Sequence, residues 1–414
     1  MSSKQYDIAI IGGSLAAGIT AALLAKQGCK VLFLRNREMQ APAWFHSSIF
    51  LEKLLGVLGG RSCFVAQRPI QVISEKSRVT ISSDIPLDGE LTREFGAYGP
   101  AVNQWLAELH IHGVKLEELF WENGGLPWPS LKAAARFKLL CLRRRINLTE
   151  LEQPVTQKLG QIPASARIFI TDLLQGLSLL KISKLTYANA ALLWAQALRP
   201  ENLKEPDFSL MLSKRFEQFH SDKAQLDDLE TLDFDGSRWT GGVFKSGGRF
   251  TAKIFLLGDK RWIDLFSAGK ATLAQPPQAP VARRTSDLHG QLSSLLETRI
   301  ICGGDLPMRL AIEEHDHELQ GLVLSVPAAT EVSIRQQLAP VLPFAKYQLT
   351  EEVLLTDADI TRSTESARNM QLSKLPIRIA ANLYCADRTA MFPELGAAGS
   401  ALLAWTIVEN LGTQ

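Results

Sequence analysis

Asp7 to Arg35 reads DIAIIGGSLAAGITAALLAKQGCKVLFLR, and this stretch decides the fold. Ile8 to Ile11 is a short apolar run closed by Gly12-Gly13-Ser14. Leu15 to Gln27 is Ala-rich, with small residues at Ala17, Gly18, Ala21, Ala22 and Ala25; Gly28 stops it, and Lys30 to Leu34 is a second apolar run. The succession is a strand, a tight glycine turn, a helix, a glycine C-cap and a parallel strand. A helix lined with small residues can lie close to a sheet. Its N-terminus aims bare N–H groups at the space above the turn, a position that suits a pyrophosphate. The unit is a Rossmann-type βαβ.

The glycine signature inside it is degenerate. Aligned on G-x-G-x-x-G, the chain reads Gly12, Gly13, Ser14, Leu15, Ala16, Ala17. Only the first glycine is in place. Ser14 takes the second position, where backbone comes closest to phosphate, and Ala17 takes the third, where a methyl group is tolerable. The acidic residue that binds a ribose hydroxyl at the end of the second strand is replaced by Arg35. The context of strand, turn, helix and strand therefore carries the assignment, not the motif. Ile8 to Ala25 is uncharged and has the look of a signal peptide or membrane span. The break at Gly12-Gly13-Ser14 and the strand after Gly28 argue against both.

At 414 residues the chain can bury a large core, in one two-part unit or two domains. With 45 basic against 43 acidic residues there is no global pull toward nucleic acid. Its 46% hydrophobic content is that of a globular enzyme. The five cysteines, Cys29, Cys63, Cys141, Cys302 and Cys385, are scattered and odd in number, which argues for a reducing compartment without a disulfide framework. No later apolar stretch spans a bilayer, so the expected location is the cytoplasm, with peripheral membrane contact open.

Outward from the opening unit, Phe50 to Leu58 reads as a helix ending at Gly59-Gly60, and Ile70–Ser74 with Arg78–Ser82 as a hairpin. From Leu91 to Leu198 the pattern is helical, a natural insertion into an α/β chassis. After Asp207, FSLMLSKRFEQFHSD is an amphipathic helix, and LETLDFDGSRWTGGVFKSGGRFTAKIFLLG is three strands joined by DG and GG turns. Asp305 to Pro327 is another hairpin, and the chain closes on a strand, a loop and an Ala-rich helix.

Together, the N-terminal βαβ unit, the strands ending at Phe255-Leu256-Leu257-Gly258, and YCADRTAMFPELGAAGSALLA from Tyr384 to Ala404 resemble a flavoprotein superfamily. It comprises the phytoene desaturases, the amine oxidases and the Rab GDP-dissociation inhibitors. The hairpin PIQVISEKSRVTISSD before a long helical stretch is similar to the phytoene-desaturase branch. The resemblance implies FAD as cofactor. It also implies a C-terminal Gly-Asp pair whose Asp hydrogen-bonds the ribityl chain, and a Gly-rich loop opening a helix that faces the flavin. Here the pair is Ala386-Asp387, and the loop and helix start are Gly396 to Gly399. The basic, Gly-containing stretch expected after the second strand is replaced by Asn36 to Pro42, which sets Arg35 and Arg37 near the adenosine.

The implied fold is α/β: a discontinuous Rossmann-type FAD-binding fold, with a largely helical inserted cap and a smaller mixed sheet. Residues 1–90, 207–270 and 371–414 form the FAD-binding part, and residues 91–206 and 271–370 the substrate cap. The candidate cofactor residues are Gly12, Gly13, Ser14, Leu15, Ala16, Ala17, Arg35, Arg37, Ala386, Asp387, Gly396 and Gly399. No catalytic acid or base and no metal ligand is nominated. The first functional reading is an FAD-dependent oxidoreductase resembling phytoene-type desaturases, taking a hydride from an apolar substrate. The alternatives are a flavin-free homologue with a protein partner, acting in binding or assembly, and an NADP-binding reductase in which Arg35 meets a 2′-phosphate.

Other features are weighed against ordinary packing. His110-x-His112 and His315-x-His317 have a spacing that puts two ligands on one strand face, but a metal needs three or four converging ligands. LKAAARFKLLCLRRR, with Phe137, Leu139, Leu140 and Leu142 and the basic end Arg143-Arg144-Arg145, is either a surface for an anionic membrane or a packed helix with a basic last turn. Trp105, Trp121, Trp128 and Trp194 either line an apolar tunnel or pack in the core. His46, beside Trp44 and Phe45, falls on the expected flavin side.

Overall fold

The computed structural model describes residues 3–35, 47–82, 85–160, 162–203, 205–219, 221–236, 238–258, 282–289, 295–315, 318–325, 330–343, 346–352, 377–387 and 395–411. Among them, eight strands form the first sheet: β1 (Lys4–Ile11), β2 (Val31–Arg35), β7 (Asp222–Gln225), β8 (Leu229–Asp235), β9 (Arg238–Phe244), β10 (Arg249–Leu257), β16 (Arg378–Ala380) and β17 (Leu383–Cys385). The order is β16-β17-β10-β1-β2-β7, with β9 and β8 continuing as a meander from β10. The pairs β17–β10, β10–β1, β1–β2 and β2–β7 are parallel. Strands from the beginning, middle and end of the chain therefore share one sheet, so the Rossmann-type unit is discontinuous.

The apolar runs explain which strands are central. Ile8 to Ile11, Val31 to Leu34 and Phe255 to Leu257 are buried, as parallel strands covered on both faces must be. The helix α1 (Leu15–Lys26) covers one face, and Ala16 to Ala25 apart from Gly18 are buried. Its alanines let it pack against both α10 (Glu205–Gln218) and α12 (Gly396–Leu411). α2 (Ile49–Leu58), capped by Ser48 and ended by Gly59, also packs on α12.

The second sheet has seven strands among the described residues: β4 (Ile70–Ile73), β5 (Arg78–Ile81), β11 (Ala282–His289), β12 (Arg299–Cys302), β13 (Met308–His315), β14 (Glu318–Ser325) and β15 (Lys346–Glu352). Its order is β15-β11-β14-β13-β12-β4-β5. The hairpin β4–β5 thus departs from the sequence expectation, which placed residues 1–90 in the cofactor-binding part. β4 pairs in parallel with β12, and Ile70, Val72, Val79 and Ile81 bury their alternating face there. A short third pair joins β3 (Phe64–Ala66) to β6 (Glu201–Leu203).

The helical segment holds α3 (Leu87–Phe95), α4 (Gly99–Asn123), α5 (Leu131–Arg143), α6 (Leu148–Leu151), α7 (Thr156–Leu159), α8 (Ala164–Ser178) and α9 (Tyr187–Ala197). α4 packs along α9, and α8 lies against β12, β13 and β4. The short helix α11 (Glu331–Leu338) buries Ile334 and Leu338 in the second sheet's own core. His110 and His112 sit on α4, not on a strand, so residues two apart point to different sides and do not converge. His112 instead meets the Tyr187 hydroxyl at 3.1 Å, and among the described residues no cluster of metal-ligating side chains occurs. His315 ends β13, whereas His317, like Trp44, Phe45 and His46, lies outside the described residues.

Candidate functional site

The carboxyl ends of the parallel strands meet at one edge, where the ladder runs one residue past each strand. Gly12 donates to the Leu34 carbonyl at 2.8 Å, Gly258 to Ile11 at 2.7 Å, and Ala386 to Leu257 at 2.7 Å. Such an edge, where α1 begins and strands from distant parts of the chain come together, is where open α/β sheets bind ligands. Gly12 has φ +107, a conformation open to glycine. Gly258 has no room for a side chain: a Cβ there would stand 2.5 Å from Ala17 Cβ and 2.8 Å from the Gly12 carbonyl. The glycine turn is thus packed tightly against the residue that follows β10.

Ser14 stands where the signature wants its second glycine, and its hydroxyl turns inward. Oγ accepts from the Ala17 N–H at 3.2 Å, capping α1, and donates to the Ala386 carbonyl at 3.1 Å. The side chain is therefore buried, with its hydroxyl engaged by two main-chain groups. Leu15 and Ala16 open the helix with N–H groups that lack an intrahelical acceptor, the kind of helix N-terminus that can receive an anion. Gly13 and Leu15 are half-buried, while Ala16 and Ala17 pack inward.

The Ser14–Ala386 bond also joins the two ends of the chain. It sets Ala386-Asp387, directly after β17, beside the start of α1. Asp387 is buried, and its main-chain carbonyl faces the Cys385 thiol. α12 opens at Gly396, with φ +54, and Gly399 is buried within its first turns.

The end of β2 is basic where an acidic residue was expected. Arg35 is half-buried as the last residue of β2, registered with Gln225 of β7. Its charge reaches Glu217 of α10, whose carboxyl is lowered mainly by a hydrogen bond from Lys223 and less by Arg35. A guanidinium has donors only, so Arg35 cannot accept from ribose hydroxyls as a carboxylate does. Arg37 lies outside the described residues.

Two features were not among the residues nominated from sequence. Gly258 has a faint signal, a glycine closing a buried apolar run. The other is an ion-paired cluster: Arg199 donates to Glu52 on α2 at 2.9 Å and to Glu117 on α4. Glu117 is 3% exposed, and burial raises its carboxyl above the usual range against the opposing pull of Arg199. Residues so far apart in the chain carry no sequence signal. Of the four tryptophans, Trp105 and Trp194 are core, with Trp194 donating to the Leu106 carbonyl at 2.9 Å. Trp121 packs on Trp405 at 5.0 Å between ring centres, and Trp128 stacks on Tyr384 at 5.3 Å.

No protein-family model matches the sequence, and no curated protein matches it. Solved structures match in fold. Cyclohexylamine oxidase from Brevibacterium oxydans aligns with a TM-score of 0.57 at 13% identity, over 99% of each chain. Wild-type putrescine oxidase bound to putrescine gives 0.59 at 12% identity over 100% of both chains. A putative protoporphyrinogen oxidase from Exiguobacterium gives 0.53 at 14% identity, over 100% of this chain and 99% of the other. At such identity the likeness is one of fold: over essentially its whole length the chain has the fold of these two amine oxidases and of this putative protoporphyrinogen oxidase.

Proposed function

We propose that this protein binds FAD at the carboxyl edge of its first sheet and acts as a flavin-dependent oxidoreductase on an apolar substrate of the phytoene type. The observation that carries the reading is the Ser14–Ala386 hydrogen bond. It ties the Ser14 side chain, which stands at the second glycine position, to the main chain, and it brings the Asp387 segment to the N-terminus of α1. The Leu15 and Ala16 N–H groups would hold the pyrophosphate, Asp387 would accept from the ribityl hydroxyls, and the N-terminus of α12 would favour negative charge on the ring. When bound, FAD supplies a two-electron acceptor for a hydride. The chain's own task is then to orient the substrate and exclude water, which agrees with a site nominated without a catalytic acid or base.

Arg35 favours a second reading. A donor in place of the ribose-binding carboxylate fits a flavin-free binding or assembly protein, or a reductase that meets a 2′-phosphate. The visible spectrum of the purified protein separates these readings. Flavin absorption bleached by dithionite under anaerobic conditions supports the first. A colourless protein that gains no flavin absorption after incubation with FAD and gel filtration refutes it.

A further inference from the structure

α5 turns two faces to different surroundings. Inward, Phe137 and Cys141 are buried, and the Phe137 ring stacks on Phe120 of α4 with centres 6.1 Å apart. Outward, Leu131, Leu139 and Leu142 are 93%, 68% and 76% exposed. At about 100° per residue these three leucines fall within roughly 80° of one another, so they form a second apolar stripe. The fold leaves that stripe in water along a helix of 13 residues, about 20 Å long.

The charge carried by this segment itself has one sign. From Gly124 to Leu148 the sequence holds no Asp or Glu, while Lys132, Arg136, Lys138, Arg143, Arg144 and Arg145 are basic. Two of these are turned to the protein: Arg144 pairs with Glu118 at 3.5 Å and with Glu122, and Arg136 donates to the Glu122 carbonyl at 3.3 Å. Lys132, Lys138 and Arg143 stand exposed beside the leucines. A nucleic acid would engage these cations and leave three leucines in water. The interface of an anionic bilayer takes both, with leucines at the acyl boundary and ammonium and guanidinium groups among the headgroups.

We propose that α5 is a docking face for an anionic lipid bilayer, lying in the plane of the interface with Leu131, Leu139 and Leu142 inserted and Lys132, Lys138 and Arg143 on the headgroups. The contact is peripheral, since among the described residues no helix is long and apolar enough to cross a membrane. This inference stands apart from the flavin reading and is tested without it.

The test is co-sedimentation of the purified protein with vesicles of phosphatidylcholine mixed with phosphatidylglycerol, and with vesicles of phosphatidylcholine alone. The native protein is expected to bind the mixed vesicles and to release them at high salt. Each lysine neutralised weakens binding roughly fivefold, so Lys132→Gln with Lys138→Gln weakens it about twentyfold to thirtyfold. Leu139→Gln with Leu142→Gln abolishes stable binding at any charge content, and both pairs are exposed positions that leave the core intact. Failure of the native protein to bind mixed vesicles overturns the proposal, as does binding as strong as the native protein's by either variant. A concentration-dependent dimer that binds no vesicles and is broken by the leucine pair also overturns it, because a second copy then covers the stripe.

Discussion

Ser14→Ala removes a single hydroxyl that holds two main-chain groups. Its first bond, from the Ala17 N–H at 3.2 Å, is the N-cap of α1, and loss of such a cap costs about 1 kcal/mol. Its second bond goes to the carbonyl of Ala386, a fully buried residue, at 3.1 Å. Loss of that donor costs about 1 kcal/mol more. The sum, about 2 kcal/mol, is a factor of about thirty in the folding equilibrium. Ser14→Gly keeps capping strength to within a few tenths and loses only the cross-chain bond, so it falls about halfway between. Urea unfolding followed by tryptophan fluorescence reads both differences. A Ser14→Ala unfolding free energy within about 0.5 kcal/mol of the native protein's would refute the clasp, and so would a Ser14→Gly loss equal to that of Ser14→Ala.

Asp387→Asn is expected to weaken FAD binding roughly tenfold to a hundredfold, since a charge-assisted hydrogen bond is worth about 1.5–3 kcal/mol; unchanged affinity in a fluorescence titration removes Asp387 from the site. Arg199→Met leaves Glu117 buried without its cation and should cost about 3 kcal/mol or more, with Glu117→Gln in the same chain restoring most of the loss; equal denaturation midpoints for the single and double variants would contradict this. Asp222 is held below the usual carboxylate range first by the Tyr6 hydroxyl and then by Lys4. A lowered folded pKa gives stability that is present above the unfolded value of about 4 and lost as pH falls through the folded value. Asp222→Asn should therefore flatten the acid limb of a Tm-versus-pH curve, and an acid limb as steep as the native one would exclude Asp222 as a contributor.

The parts of the fold that sequence made legible are those whose burial is total. Ile8–Ile11 and Val31–Leu34 are unbroken apolar runs because they lie covered on both faces, and the Ala-rich α1 between them can only be a closely packed helix. The edge strand β7 escaped notice, since Asp222 to Gln225 is half in water and carries no apolar run. For β4–β5, alternation shows that one face is buried but not which sheet buries it; the partner is β12, more than two hundred residues away. In α5, Phe137, Leu139, Leu140 and Leu142 read alike as apolar, while the fold buries the first and exposes Leu139 and Leu142. In the candidate site the turn residues were visible as a motif. The inward rotation of Ser14 was not, because its acceptor at Ala386 is 372 residues distant.

The central claim is that the carboxyl edge of the first sheet holds FAD despite Ser14 and Arg35. Isothermal calorimetry of the native protein, titrated separately with FAD and with NADPH, tests it most directly. FAD is expected to bind at one site per chain and NADPH weakly or not at all, because Asp387 and the N-terminus of α12 suit a ribityl chain and a flavin ring. Tight NADPH binding without FAD binding, or heat from neither ligand, would contradict the account.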